Sequence, residues 1–140
     1  MRRALGDGLE LDDDRQRIDP DAVHRYLSRD SYWARGCSRE TVRQTIRDAA
    51  RVVGLYDGAT QIGFARVISD DVSVSHLCDV YVLAEYRGRG LGVELVREAV
   101  DNGPHAQLAW TLKTKDAQGL YARFGFSAPA DGFMERRATG

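Results

Sequence analysis

Apolar residues recur along the chain at two periods, helical and alternating, and the period changes where turn residues punctuate it. Val23, Tyr26 and Leu27 come after Asp19-Pro20-Asp21 at helical spacing, with an acidic cap and a proline at the first helical position, which predicts a short helix. Ser38 caps a second helix, with Thr41 in place of the usual Glu or Gln, and Val42, Ile46, Ala49 and Ala50 fall on one side. β-branched and aromatic runs then take over at 52–56 and 61–68, separated by Asp57-Gly58-Ala59-Thr60, whose Asp-Gly pair is typical of hairpins. A third run, 72–83, ends at a glycine cluster. After it Val93, Leu95, Val96, Ala99 and Val100 return to the helical period until Asn102-Gly103-Pro104 stop it. Residues 106–113 are a further strand candidate. Asp116 is expected to cap a short helix through Leu120, Tyr121 and Phe124 that Gly125 ends, and 133–136 read as a last strand. Ahead of all this, a short first strand runs into the acidic stretch 10–14, taken as a solvated turn.

The order is therefore β, α, α, β, β, β, α, β, α, β. A strand, a helix and a second strand pairing in parallel must cross over right-handed, so the expected sheet is mixed, with an antiparallel front half. At 140 residues the chain suits one domain, 1–140, of the α/β (α+β) class. Lys and Arg (20) nearly balance Asp and Glu (21), which argues against nucleic acid or an anionic membrane as partner; any anion binding must be local. Cys37 and Cys78 fit no zinc spacing and form no disulfide framework. No apolar run is long enough to span a membrane and no secretory leader is visible, so a cytoplasmic protein is expected.

The local chemistry gathers at Arg87-Gly88-Arg89-Gly90-Leu91-Gly92. Glycines there open backbone conformations closed to other residues and let a bulky anion approach the main chain. A helix starts at the same place, so N–H groups without intrahelical partners point outward beside the positive end of its dipole. Arg87 and Arg89 add donors suited to phosphate. A P-loop is excluded because no Gly-Lys-Ser/Thr ends the stretch, and a dinucleotide fingerprint fails because Val93 stands where its third glycine belongs. A turn whose arginines merely solvate the surface is the plain alternative.

The stretch 78–92, Cys-Asp-Val-Tyr-Val-Leu-Ala-Glu-Tyr-Arg-Gly-Arg-Gly-Leu-Gly, closely resembles motif A of the GNAT superfamily of N-acetyltransferases, with Arg87, Gly90 and Gly92 in the three defining positions. The later stretch 116–126, with Tyr121 and the Gly125-Phe126 turn, resembles the family's motif B, about 30 residues on. The resemblance covers roughly 55–137; residues 1–50 share only the general plan of a first strand and two helices.

The resemblance implies helices on both faces of the sheet. It further implies that the backbone of Arg87, Gly88, Arg89, Gly90, Leu91 and Gly92 holds the pyrophosphate of acetyl-CoA. The pantetheine arm would pair with the strand end Val80, Tyr81, Val82, in a splay between that strand and 109–112. An amide such as that of Val82 would polarise the thioester carbonyl. Tyr121 occupies the general-acid position, and a phenol can protonate a departing thiolate at modest cost. Tyr121 as a helix aromatic packing beside Phe124 and Phe126 is the rival reading.

For the base, Asp79 within the strand and Glu85 at its exit both qualify. A carboxylate inside an apolar strand is costly unless paired, exposed or functional. His76 is a third candidate, with a suitable ordinary pKa. Cys78 suggests an acetyl-cysteine intermediate, but a strand cysteine is usually small buried packing, so direct transfer is the preferred route. Tyr32, Trp33 and Arg35, between the first two helices, are candidates for a lid over the acceptor; Trp33 as an anchor in the core is the alternative.

The function expected is acetyl transfer from acetyl-CoA to a primary amine, borne by a small molecule or by a peptide or protein, with no metal called for and a homodimer compatible with the family. A non-catalytic acyl-CoA-binding or sensor domain and a phosphate-recognition module are the alternatives. The acids at 12–14, 70 and 71 hint at a cationic acceptor, although charge runs on loops are usually only solvated.

Overall fold

The computed structural model describes residues 1–129 and 131–139. Its elements are β1 (Arg2–Gly6), β2 (Leu9–Asp12), α1 (Pro20–Arg29), α2 (Arg39–Asp48), β3 (Arg51–Asp57), β4 (Thr60–Ser69), β5 (Val74–Val82), α3 (Leu91–Val100), β6 (Ala109–Leu112) and α4 (Gln118–Ala122), with 3-10 turns at Arg15–Arg17 and Ala84–Tyr86. The Asp-Gly signal is realised as a tight hairpin: Asp57 faces Thr60, and Gly58 has φ +58°. All six strands form one sheet in chain order. Every pair is antiparallel except β5 and β6, which are parallel and joined through α3.

Both faces of the sheet are covered, which explains why β3 and β4 are nearly continuous apolar runs. On one face, Leu91, Leu95, Val96, Ala99 and Val100 of α3 pack against Leu11, Val53, Leu55, Ile62, Val67, Leu77 and Val82. On the other, Val23, Tyr26 and Leu27 of α1 and Val42 and Ile46 of α2 cover Val52, Phe64 and Tyr81. Each fully buried Val, Leu, Ile or Phe among them contributes about 1.5–3 kcal/mol by leaving water. The two front helices start as the sequence indicates. Asp19 accepts from the N–H groups of Asp21 and Ala22, and Ser38 accepts from that of Thr41.

Three expectations need correction. The acidic stretch 10–14 is not a turn, because Glu10 and Asp12 lie in β2, the second arm of a hairpin closed by Gly6-Asp7-Gly8 at positive φ. Leu9 and Leu11 alternate inward there, while Arg17 bonds Glu10 at 2.6 Å and Asp12 at 3.1 Å and Arg51 bonds Asp13 at 3.2 Å. Arginines later in the chain thus make an acidic strand tolerable. Asp116 does not cap α4: Ala117 stands at that position, and its N–H donates to Thr114 Oγ1 at 3.0 Å. Residues 133–136 form no strand. Phe133 and Met134 are exposed, two apolar side chains ahead of Glu-Arg-Arg being too few to cover a face, and Glu135 pairs with Lys113.

One irregularity interrupts the pairing of β4 with β5. Arg66 faces Cys78 and Phe64 faces Tyr81, so Ala65 alone opposes both Asp79 and Val80, and Asp79 takes φ +57°. This is a β-bulge in β5, and bulges bend the strand that carries them. Beyond it, β5 stays paired to β4 as far as Val82, whereas its ladder with β6 stops at Leu77 and Leu112.

Candidate active site

A cleft of about 480 Å³ opens where β5 and β6 part. One bank is β5, with His76, Leu77, Cys78, Asp79 and Val80; the other is the turn 112–117 together with Tyr121 of α4. Tyr32 and Trp33 from the loop between α1 and α2 complete the lining. They are fastened to both banks: the Trp33 indole N–H donates to Asp79 Oδ1 at 2.9 Å, and the Lys115 N–H donates to the Tyr32 hydroxyl at 2.8 Å. The two rings meet edge to face, 5.1 Å between centroids. Trp33 therefore straps the cleft rather than anchoring in the core. Arg35 is exposed and is not part of the lining.

Asp79 reaches the cleft, but its carboxylate is already engaged. While Oδ1 accepts from Trp33, Oδ2 accepts from Arg66 Nε at 2.8 Å. The positive φ and these two partners explain how a carboxylate sits in the strand. Glu85, in the turn Ala84–Tyr86, is exposed and lies outside the lining. The Cys78 thiol donates to the Arg66 carbonyl, and burial pushes its pKa up to about 12, which leaves essentially no thiolate to act as a nucleophile. His76 shares a 2.8 Å hydrogen bond through Nδ1 with Thr111 Oγ1, its direct neighbour in the parallel register. Burial, followed by Arg66 and Lys113, lowers its pKa. Tyr121 is half-buried beside Phe126 and lines the cleft as well, so packing and exposure to the cleft coexist. Burial raises its pKa to about 12.

The strand runs on into the glycine-rich stretch. Gly90 caps α3 at φ +75° with no side chain to accept from the helix, and Gly88 takes φ +81°. Among the described residues, nothing beyond the adjoining chain lies within 4 Å of where a Cβ would stand at Gly88, Gly90 or Gly92, so the main chain is open to an approaching group. The first N–H groups of α3 have no side-chain acceptor there. Arg87 is employed structurally: Nε donates to the Val82 carbonyl at 3.0 Å and a terminal nitrogen donates to the Tyr26 hydroxyl at 3.0 Å. Arg89 lies 5.2 Å from the centroid of the Tyr86 ring. Leu91, Tyr81 and Val82 bury their side chains, Tyr81 stacked 3.9 Å from Tyr26, so these residues offer only backbone to a ligand. Tyr26, Arg66 and Thr111, which hold Arg87, Asp79 and His76, carry no local sequence signal; only the folded register pairs them. The acids at 12, 13, 70 and 71 lie away from the cleft and are occupied, by Arg17, by Arg51, by the turn at Ser73 and by His105 respectively. They therefore give no support to a cationic acceptor.

Among the described residues no three His, Cys, Asp or Glu side chains cluster as a metal site would require, and no helix is long and apolar enough to cross a membrane. A family model, the acetyltransferase (GNAT) family, matches residues 12–126. A crystal structure of a candidate GNAT-family acetyltransferase from Xanthomonas campestris pv. campestris is 37% identical, covers 93% of each chain and superposes with a TM-score of 0.86. Glucosamine-6-phosphate N-acetyltransferase from Arabidopsis thaliana is 12% identical over 91% of this chain and 97% of its own, with a TM-score of 0.62, a likeness of fold alone. A candidate acetyltransferase of Gibberella zeae is 35% identical over 66 residues, which span 45% of this chain and 37% of that protein. With the open helix start and the splayed strands in place, the match shows that the chain belongs to the acetyltransferase (GNAT) family.

Proposed function

We propose that the protein transfers the acetyl group of acetyl-CoA to a primary amine by direct attack, without an acetyl-enzyme. The observation that carries this reading is the continuity of two features: a strand edge freed at Leu77, and the uncapped start of α3 that the same strand leads into. An extended pantetheine arm fits the first by adding to β5, and a pyrophosphate fits the second by accepting from the N–H groups of residues 87–92. The thioester then lies in the cleft.

In this reading the amine nitrogen forms a bond to the carbonyl carbon, the C–S bond breaks, and the sulfur takes the proton of the Tyr121 hydroxyl. The amide of Val82, which the register turns away from β4, stabilises the oxygen as charge develops on it. Tyr32 and Trp33 exclude water from the acceptor side, and Arg87 holds the loop against the strand end. The high pKa of Cys78 supports direct transfer. The acceptor is a small-molecule amine or an amino group on a peptide, and the two unpaired cysteines fit a cytoplasmic setting.

Calorimetry with acetyl-CoA tests the donor site, with desulfo-CoA and ATP as comparators. Micromolar binding of acetyl-CoA and of desulfo-CoA, with weak binding of ATP, is the expected result. No binding of either CoA compound would overturn the reading.

A further inference from the structure

We propose that His76 is the group that takes the proton from the attacking amine, with Thr111 as its positioning residue. The inference rests on the acetyl-transfer reading and assigns the half of the reaction that reading leaves open.

A base must line the cleft and take a proton without giving up a structural bond. Asp79 lines it, but each of its oxygens already accepts a bond, from Trp33 and from Arg66, and protonating the carboxylate would weaken both ties. Glu85 lies outside the lining. Asp116 lies on the far bank, at the start of the turn into α4. His76 is on the β5 bank, three residues before the bulge, and is half-buried.

Its geometry suits the role. The bond to Thr111 Oγ1 engages Nδ1. In the tautomer where Nδ1–H donates to that hydroxyl, Nε2 carries a lone pair with no hydrogen-bond partner among the described residues, available to the cleft that His76 lines. The charged groups around the ring are Arg66 on β4, Lys113 just past β6 and Asp79 on β5; Lys115, Asp116 and Tyr121 line the opposite bank. Burial and the two cations outweigh Asp79, so the imidazole stays neutral at neutral pH. Tyr121 is pushed the other way and keeps its proton. Two titratable groups driven apart in one cleft are the arrangement that acid and base assignments require.

The step balances. A neutral amine attacks, the C–N bond forms, and the nitrogen gives one proton to His76 Nε2. The C–S bond breaks and the sulfur takes one proton from Tyr121, which regains a proton from the imidazolium through solvent. Amine and acetyl-CoA become amide and CoA, with no net proton change.

The test has two arms. In the first, protein carrying 15N-labelled histidine is titrated by NMR with acetyl-CoA bound. The expected result is a His76 ring that titrates below the ordinary value of about 6.5 and has Nε2 unprotonated at pH 7. A ring protonated at pH 7, or one carrying its proton on Nε2, overturns the proposal whether or not an acceptor is known. In the second, thiol release is followed with a panel of small primary amines of graded pKa. His76→Gln is expected to lower kcat roughly 100-fold on the best amine, with acetyl-CoA affinity unchanged, the acid limb of the pH profile lost and partial rescue by free imidazole. Thr111→Val should lower kcat less and shift the acid limb. A His76→Gln enzyme with unchanged rate, or a slow one with an unchanged pH profile and no imidazole rescue, overturns the assignment. Loss of acetyl-CoA binding in the wild type would instead remove the acetyl-transfer reading itself.

Discussion

The starts of α1 and α3 solve one problem in opposite ways. At α1 the carboxylate of Asp19 accepts from the N–H groups of Asp21 and Ala22, and Pro20 removes another donor, so that helix has little left to offer a ligand. At α3 the capping position holds Gly90, which has no acceptor, and the space above Gly88, Gly90 and Gly92 is open. With glycine at the cap, a helix start gives up only about a few tenths of a kcal/mol relative to an Asp or Ser cap. The two helices that cover the front of the sheet, α1 and α2, carry side-chain caps, whereas α3 leaves its first donors facing outward beside the cleft.

That comparison is easiest to break at Gly90. Gly90→Asp places a carboxylate where a pyrophosphate would lie, on a backbone at φ +75° that a side chain also strains. Losing two charge-assisted bonds of about 1.5 kcal/mol each gives a fall in acetyl-CoA affinity of roughly 100-fold. Calorimetry on the variant, with its helical circular dichroism retained, provides the check, and an unchanged affinity would rule out the α3 start as the anion site.

Tyr121→Phe sharpens the contrast between binding and chemistry. It should spare acetyl-CoA affinity and lower kcat by roughly 100-fold, the lower end of what general acids contribute. The sign of the pH effect comes from burial. With a pKa raised to about 12, the phenol keeps its proton well past the ordinary tyrosine value of about 10, so kcat should hold its plateau to at least pH 10. A plateau lost near pH 9 in wild type, or a Phe variant at full rate, would remove Tyr121 from the reaction.

The smallest effect is expected at the other helix. Asp19→Ala should cost about 1 kcal/mol and lower the melting temperature by about 4 °C, leaving acetyl-CoA affinity unchanged. A loss of affinity there would blur the division between the two helix starts.

Features written locally were legible in the sequence. The Asp57-Gly58 hairpin, the Asp19 and Ser38 caps, the stop at Asn102-Gly103-Pro104 and the glycine-rich start of α3 each depend on a few adjacent residues, and each is where the sequence places it. What escaped depends on partners far along the chain. The acids of β2 resemble a solvated turn until Arg17 and Arg51 are brought to them. Asp79 resembles a free base until Trp33, 46 positions earlier, and Arg66 are seen to hold it. His76 is an ordinary strand histidine until the parallel register sets Thr111 opposite. The cap at Asp116 failed for a local reason, because the hydroxyl of Thr114 reached the N–H of Ala117 instead.

The bulge at Asp79 also sets the phase of the strand. Before it, Leu77 faces the α3 side; after it, Val80 and Val82 face that side and Tyr81 turns to α1, so the odd and even positions have exchanged faces. Were the same residues to alternate without the bulge, Val80 and Val82 would turn to the α1 side and Tyr81 away from Tyr26; removing Asp79 itself would keep those faces and lose the carboxylate that Trp33 and Arg66 hold. The single extra residue lets one strand keep its register with β4 on both sides while bending where it parts from β6.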